Sequence, residues 1–245
     1  MPAGGAHAED GASLRDGISR ALRRPWKMGE ASRLSLDAFA ERYASSRGLG
    51  YDAEGATPTN TWLLSSLRAS KSHSLMRGAL AGGASGLLFY GEHAAHTSRG
   101  YLMEGRTVAV YELTNAGDLG GGLACVPRYG PLLGGHVKRV SAVPDGLAPV
   151  MVGDASFQER YEVGAAGTLD PESARLLFTP DFVEWMNSLA VDGSADEYTR
   201  FEILGGALCV YAMASLKTSQ LLDAFCANAA RIASQVERTL SVESD

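Results

Sequence analysis

The chain has 245 residues, 45% of them hydrophobic and 8% aromatic, enough apolar material for one large core or two small ones. Its net charge of −6 is unevenly placed: residues 1–144 carry 16 Lys/Arg against 12 Asp/Glu, whereas residues 145–245 carry 6 against 16. So acidic a C-terminal part repels a phosphate backbone, which excludes nucleic-acid binding outside the N-terminal arm.

Residues 1–13, MPAGGAHAEDGAS, are small and polar and are expected to be disordered. They contain no apolar stretch of the kind a secretory leader needs, so a cytoplasmic protein is expected. Residues 14–27, LRDGISRALRRPWK, fit a short basic helix with Leu14, Ile18, Ala21 and Leu22 on one face. Two roles suit such a helix: docking on its own domain, or contact with a membrane surface or partner. Residues 34–47 predict an amphipathic helix capped by Ser35, striped by Leu36, Phe39, Ala40 and Tyr43, and stopped by Gly48 and Gly50. Residues 51–61 read as a loop.

From about residue 72 the apolar period changes to two. Strands are predicted at 73–80, 87–93, 106–114 and 122–127, with turns at 81–86 (AGGASG), 97–105 (TSRGYLMEG) and 115–121 (NAGDLGG). Short connections predict an antiparallel meander. The strand at 106–114 is apolar on both faces and therefore central. The most apolar stretch, 78–91, is too short and glycine-rich to span a membrane, so no integral membrane segment is expected. After a Pro/Gly-containing connection over 128–156, with one short strand near 136–141, FQERYEV (157–163) alternates as a strand. Two helices follow: one begins at Asp170-Pro171, the next at Thr179-Pro180, and Pro180 prevents their fusion. Beyond an acidic loop at 190–197, strands at 200–204 and 207–213 are joined by a Gly205-Gly206 turn. A last helix, 218–239, carries Leu222, Phe225, Ala229, Ile232, Ala233 and Val236 as an apolar stripe. The reading is an α+β fold: 1–13 disordered, 14–50 N-terminal helices, 51–245 globular. That globular part fits one unit or two subdomains, 72–150 and 155–240.

Chemistry-bearing residues are few. His93-x-x-His96 with Glu92 before it can bring two imidazoles to one metal, with His73, His136 or Glu104 as a third ligand. The competing reading is a structural or exposed pair, because the segment leaves a strand for a turn. Gly82-Gly83-Ala84-Ser85-Gly86 lacks the Lys-Ser/Thr of a phosphate loop and enters a strand, so it reads as a hairpin turn. Cys125, Cys209 and Cys226 sit among apolar neighbours with no C-x-x-C pair, as buried thiols do. Glu162 and Glu202 are expected on the outer sides of their strands, and Arg175 to pair with Glu159 or Glu172. No motif calls for a cofactor.

Several stretches resemble a group of uncharacterised, chiefly actinobacterial proteins: FQERYEV, DPESARLLFTPDFVEWM (170–186), FEILGGALCVY (201–211) and LLDAFCANAARIA (221–233). Tyr43-Ala-Ser-Ser-Arg-Gly48, Met76-Arg-Gly78 and Leu123-Ala-Cys125-Val-Pro127-Arg128 extend the likeness to most of residues 38–235. More remotely, Phe157 to Pro180 is similar to a broader bacterial family of unknown function whose members often carry membrane segments. The resemblance implies a fold and no activity. The sequence therefore favours a non-enzymatic binding or scaffolding protein holding a protein or small ligand. The alternatives are an enzyme of unrecognised type with a His-based metal site, and a peripheral membrane protein attached through residues 14–27.

Overall fold

A computed structural model describes residues 30–55, 71–97, 100–114, 121–132, 135–138, 143, 146–167, 169, 171–189, 199–212 and 214–242. The expectations for 1–13, 14–27, the 115–120 turn and the 190–197 loop lie outside them. Helix α1 (Glu30–Arg47) begins a turn before Ser35, which therefore sits inside the helix rather than capping it; Glu30 and Ala31 are good helix formers and carry the pattern back. It ends in a Schellman motif: Gly48 adopts φ +68, and the Leu49 and Gly48 amides donate to the Ala44 and Ser45 carbonyls at 2.9 and 3.4 Å.

Eleven strands follow among the described residues: β1 (Gly50–Asp52), β2 (Lys71–Ala79), β3 (Ser85–Thr97), β4 (Gly100–Glu112), β5 (Gly121–Pro127), β6 (Tyr129–Leu132), β7 (Gly135–Lys138), β8 (Ala148–Pro149), β9 (Tyr161–Gly167), β10 (Arg200–Leu204) and β11 (Ala207–Ala212). Nine form one antiparallel sheet in the order β1-β2-β3-β4-β11-β10-β5-β9-β8, and β6 and β7 pair separately. The meander β2-β3-β4 is as expected, but β5 does not continue it. The β10–β11 hairpin inserts between β4 and β5, so strands from 72–150 and from 155–240 share one sheet. Its two-residue turn is Gly205-Gly206, both at positive φ.

Two local expectations are overturned. Residues 97–105 are not an extended turn: β3 and β4 stay paired out to Thr97 opposite Gly100, because pairing satisfies backbone groups that a loop leaves to solvent. FQERYEV is not a single strand but the end of helix α2 (Ala155–Arg160) running into β9. Asp154 caps α2 by accepting from the Phe157 amide at 2.7 Å, and Phe157 stacks on Tyr161 four residues later with centroids 5.0 Å apart. Helices α3 (Pro171–Leu176) and α4 (Pro180–Ser188) are separate, as Pro180 requires. Helix α5 (Ser219–Val242) is the long terminal helix.

On one sheet face, Met76, Leu88, Tyr90, Tyr111, Phe201 and Val210 pack beneath Leu36 and Ala40 of α1, Phe182 and Met186 of α4, and the whole expected stripe of α5. Val108 and Val110 of β4 face the other way, into a second cluster with Phe89, Val126 and Tyr211. Both faces of β4 are thus covered. Among the described residues no helix is long and apolar enough to cross a membrane.

Candidate functional site

Glu92, His93 and His96 all lie on β3, opposite Gly105, Glu104 and Tyr101. The segment is strand throughout, and positions 93 and 96, an odd number apart, fall on opposite faces of it. Their side chains, with those of Glu104 and His136, lie outside what the structure describes. Among the described residues no group of three His, Cys, Asp or Glu gathers to hold a metal.

His73, named above only as a third ligand, sits at the most unusual local geometry. Its strand slips register between His73 and Met76, and Ser74 adopts φ +55, a left-handed conformation rare outside glycine. The imidazole is 2% exposed. Its Nδ1 lies 3.0 Å from Asp37 Oδ1 and 2.9 Å from Ser74 Oγ, and the Ser74 hydroxyl itself donates to Asp37. A proton on Nδ1 satisfies the carboxylate and leaves the Nε2 lone pair facing inward, where it has no hydrogen-bond partner among the described residues.

A second polar group lies on the sheet face turned away from the helices. Glu202 is fully buried, contrary to its expected outer position, and accepts from the Tyr211 hydroxyl. Arg200 on the same strand and Arg106 on β4 are buried as well. Alternation did place Glu202 opposite Phe201 and Ile203, but that second face is itself covered. Cys125, Cys209 and Cys226 are buried thiols outside any disulfide, as expected; burial pushes the Cys226 thiol up to about 11 and Cys125 higher still, which suppresses thiolate chemistry.

An open concavity lies elsewhere, where the α3–α4 junction faces the C-terminal half of α5. It encloses about 590 Å³. One wall is Leu176, Thr179, Asp181 and Phe182; the other is Arg231, Gln235, Arg238 and Thr239. Gln235 fixes the distance between them. It is buried, and its Nε2 donates to the Leu177 carbonyl at 2.9 Å and to Thr179 Oγ1 at 3.4 Å. Thr179 therefore stands at the N-cap of α4 without a side-chain cap bond of its own. Arg238 donates to Gln235 Oε1 at 2.7 Å, and the Arg231 guanidinium lies over the Trp185 ring at 4.4 Å. Leu176 is 57% exposed at the rim, whereas Phe182 is buried at the floor. Nearby, Arg175 pairs with Glu172 at 3.3 Å, one of its two expected partners. The sequence singled out none of Arg231, Gln235 and Arg238, although the three positions share a helix face. The opposing wall comes from a distant stretch of chain.

The fold and this groove define an α+β protein in which one antiparallel sheet is roofed by helices that leave a cleft between them. Comparisons with protein-family models, curated proteins and solved structures found no match to this chain.

Proposed function

We propose that the protein is a non-enzymatic binding protein of the cytoplasm that holds a small ligand or a partner's segment between α3–α4 and α5. The observation that carries this is the groove itself: a cleft of about 590 Å³ with an apolar floor and oriented polar walls, within the size range of small-molecule sites. Its side chains are those of recognition: a carboxylate, hydroxyls, the Gln235 amide, and guanidiniums held by Gln235 and Trp185.

The test compares retention from a native extract by wild-type protein and by a Thr239→Trp variant whose groove is filled. Retention by the wild type and its loss in the filled variant support the reading. Equal retention by both overturns it.

A second reading, an enzyme, is favoured by one observation: the buried His73 imidazole is oriented by Asp37, and its Nε2 has no partner among the described residues. A carboxylate on one ring nitrogen that leaves the other available is how a general base is oriented. Turnover of an extract metabolite that His73→Gln abolishes, with the filled-groove variant still active, would favour it over binding.

A further inference from the structure

Away from the groove, a side-chain contact joins the edge of the main sheet to helix α2. Strand β8 is the last strand of that sheet, and residues 150–154 carry the chain from it to Ala155, where α2 begins. Met151 stands in this bridge and is 68% exposed, whereas Met76 and Met186 are fully buried. Its Sδ accepts from Gln158 Nε2 at 3.4 Å. Both ends of the contact are rooted. The Val150 amide beside Met151 donates to the Val163 carbonyl at 2.9 Å. The Gln158 amide donates to the Asp154 carbonyl at 3.0 Å, and the Gln158 carbonyl accepts from Arg128 Nε at 2.7 Å. A thioether is a weak acceptor, so a good side-chain donor is matched here to a poor partner. Sulfur has two lone pairs. The Gln158 N–H takes one, and with the residue exposed the other meets solvent.

We propose that Met151 is a reversible oxidation site whose substrate is a hydroperoxide. The open lone pair attacks the terminal oxygen. The S–O bond forms as the O–O bond breaks; sulfur is oxidised by two electrons and the peroxide is reduced. The proton on the transferred oxygen passes through solvent to the departing one, which leaves as water or an alcohol. Because Gln158 occupies one lone pair, oxygen enters from one side and one sulfoxide epimer predominates. Its oxygen is a better acceptor than the sulfur was, so the Gln158 amide gains a matched partner and ties the bridge to α2. Two thiols of an epimer-specific sulfoxide reductase reverse the step, giving a disulfide, water and the original thioether. Exposure alone makes a methionine reactive; a donor fixed on one side of its sulfur is what selects an epimer.

Hydrogen peroxide is the probe, and peptide mapping reads each of the seven methionines separately. Met151 is expected to oxidise at least roughly tenfold faster than Met76 and Met186, which react only when the core opens. The Met151 peptide from the oxidised protein is then divided between the two classes of sulfoxide reductase, one for each epimer. One class should restore about threefold more of it than the other, the factor that one hydrogen bond of ordinary net strength supplies. Gln158→Leu and Gln158→Glu both remove the donor, the second while keeping the shape of the side chain, and both should bring the two classes to equal repair. The variant that unfolds nearer the wild-type temperature is the one compared. Met151 reacting no faster than the buried pair overturns the site. Equal repair of the wild-type peptide by both classes, or a bias that survives loss of the Gln158 amide, also overturns the proposal and leaves Met151 an ordinary exposed methionine.

Discussion

At the N-terminal end of α5, Asp223 accepts from the Arg47 guanidinium and, at 2.8 Å, from the Tyr43 hydroxyl, both delivered by α1. Further along the same helix, Arg231 rests on an indole ring and Arg238 donates to an amide oxygen, both beside an open cleft. The first region is closed chemistry. The Arg47 hydrogen bond holds the Asp223 carboxyl below the usual aspartate range, while burial, with Asp223 adding to it, pushes the Tyr43 phenol well up. Every charge there is answered by a neighbour, and the outcome is a clamp between two helices. In the second region a Trp185 ring and a Gln235 amide hold two guanidiniums at the edge of an open cleft. The first set of contacts ties two helices together; the second lines a concave surface.

The comparison breaks most completely if α5 loses its seat, because both regions depend on it. Phe225 is fully buried on the α5 face that packs on the sheet. Phe225→Ala is expected to cost about 3–5 kcal/mol, seen as a fall in denaturant midpoint with unchanged slope. A loss near zero would mean that α5 is held by its polar ends alone.

Next in size is Gln235→Ala. The amide crosses from α5 to a carbonyl 58 residues earlier in the chain and supports Arg238 at the same time. Its removal leaves the Leu177 carbonyl without this donor inside the protein, at a cost of about 1–2 kcal/mol. Hydrogen exchange at Val183, whose amide donates to the Thr179 carbonyl, should quicken as the groove wall loosens. Unchanged exchange would show that the wall stands without its strut.

Asp223→Ala follows at about 1 kcal/mol near neutral pH, discounted because the carboxylate and Arg47 are both partly exposed. Its pH dependence has a definite sign. The folded carboxyl titrates below its unfolded counterpart, so its contribution is complete above the unfolded value of about 3.9 and fades as pH falls through the folded one. The difference between wild type and variant should therefore hold from neutral pH down to about 4 and shrink in stronger acid. A difference that widened on acidification would contradict the clamp.

These regions also show what a sequence can disclose. The α5 stripe was legible because a 3-4 spacing of large apolar residues has few other uses, and Pro180 and Gly205-Gly206 were legible because backbone geometry dictates them. Phe157 and Tyr161 misled because four residues apart suits either a helix or an alternating strand; the Asp154 cap settled it. Insertion of β10–β11 between β4 and β5 left no local mark, since strand partners distant in sequence are chosen by total packing. Burial of Glu202 was invisible for a similar reason: alternation assigns a face, and only tertiary structure says whether that face is covered. His73 passed as an ordinary strand residue because the strained Ser74 beside it is a backbone property. The groove needed two walls, and one helix shows only its own.

The smallest expected effect is the most discriminating. Arg231 is exposed on α5 and touches the Trp185 ring, so Arg231→Gln should change stability by no more than about 0.5 kcal/mol, the range of ordinary surface positions. The matched measurement is denaturant unfolding of this variant beside Asp223→Ala, at neutral pH and in acid. The clamp variant should lose stability at neutral pH and converge on wild type in acid, while the groove variant stays close to wild type at both. If Arg231→Gln instead destabilised as much as Asp223→Ala, the guanidinium would be a structural cation like Arg47. The distinction between the two ends of α5 would then disappear, and with it the argument that one of them is built to meet a ligand.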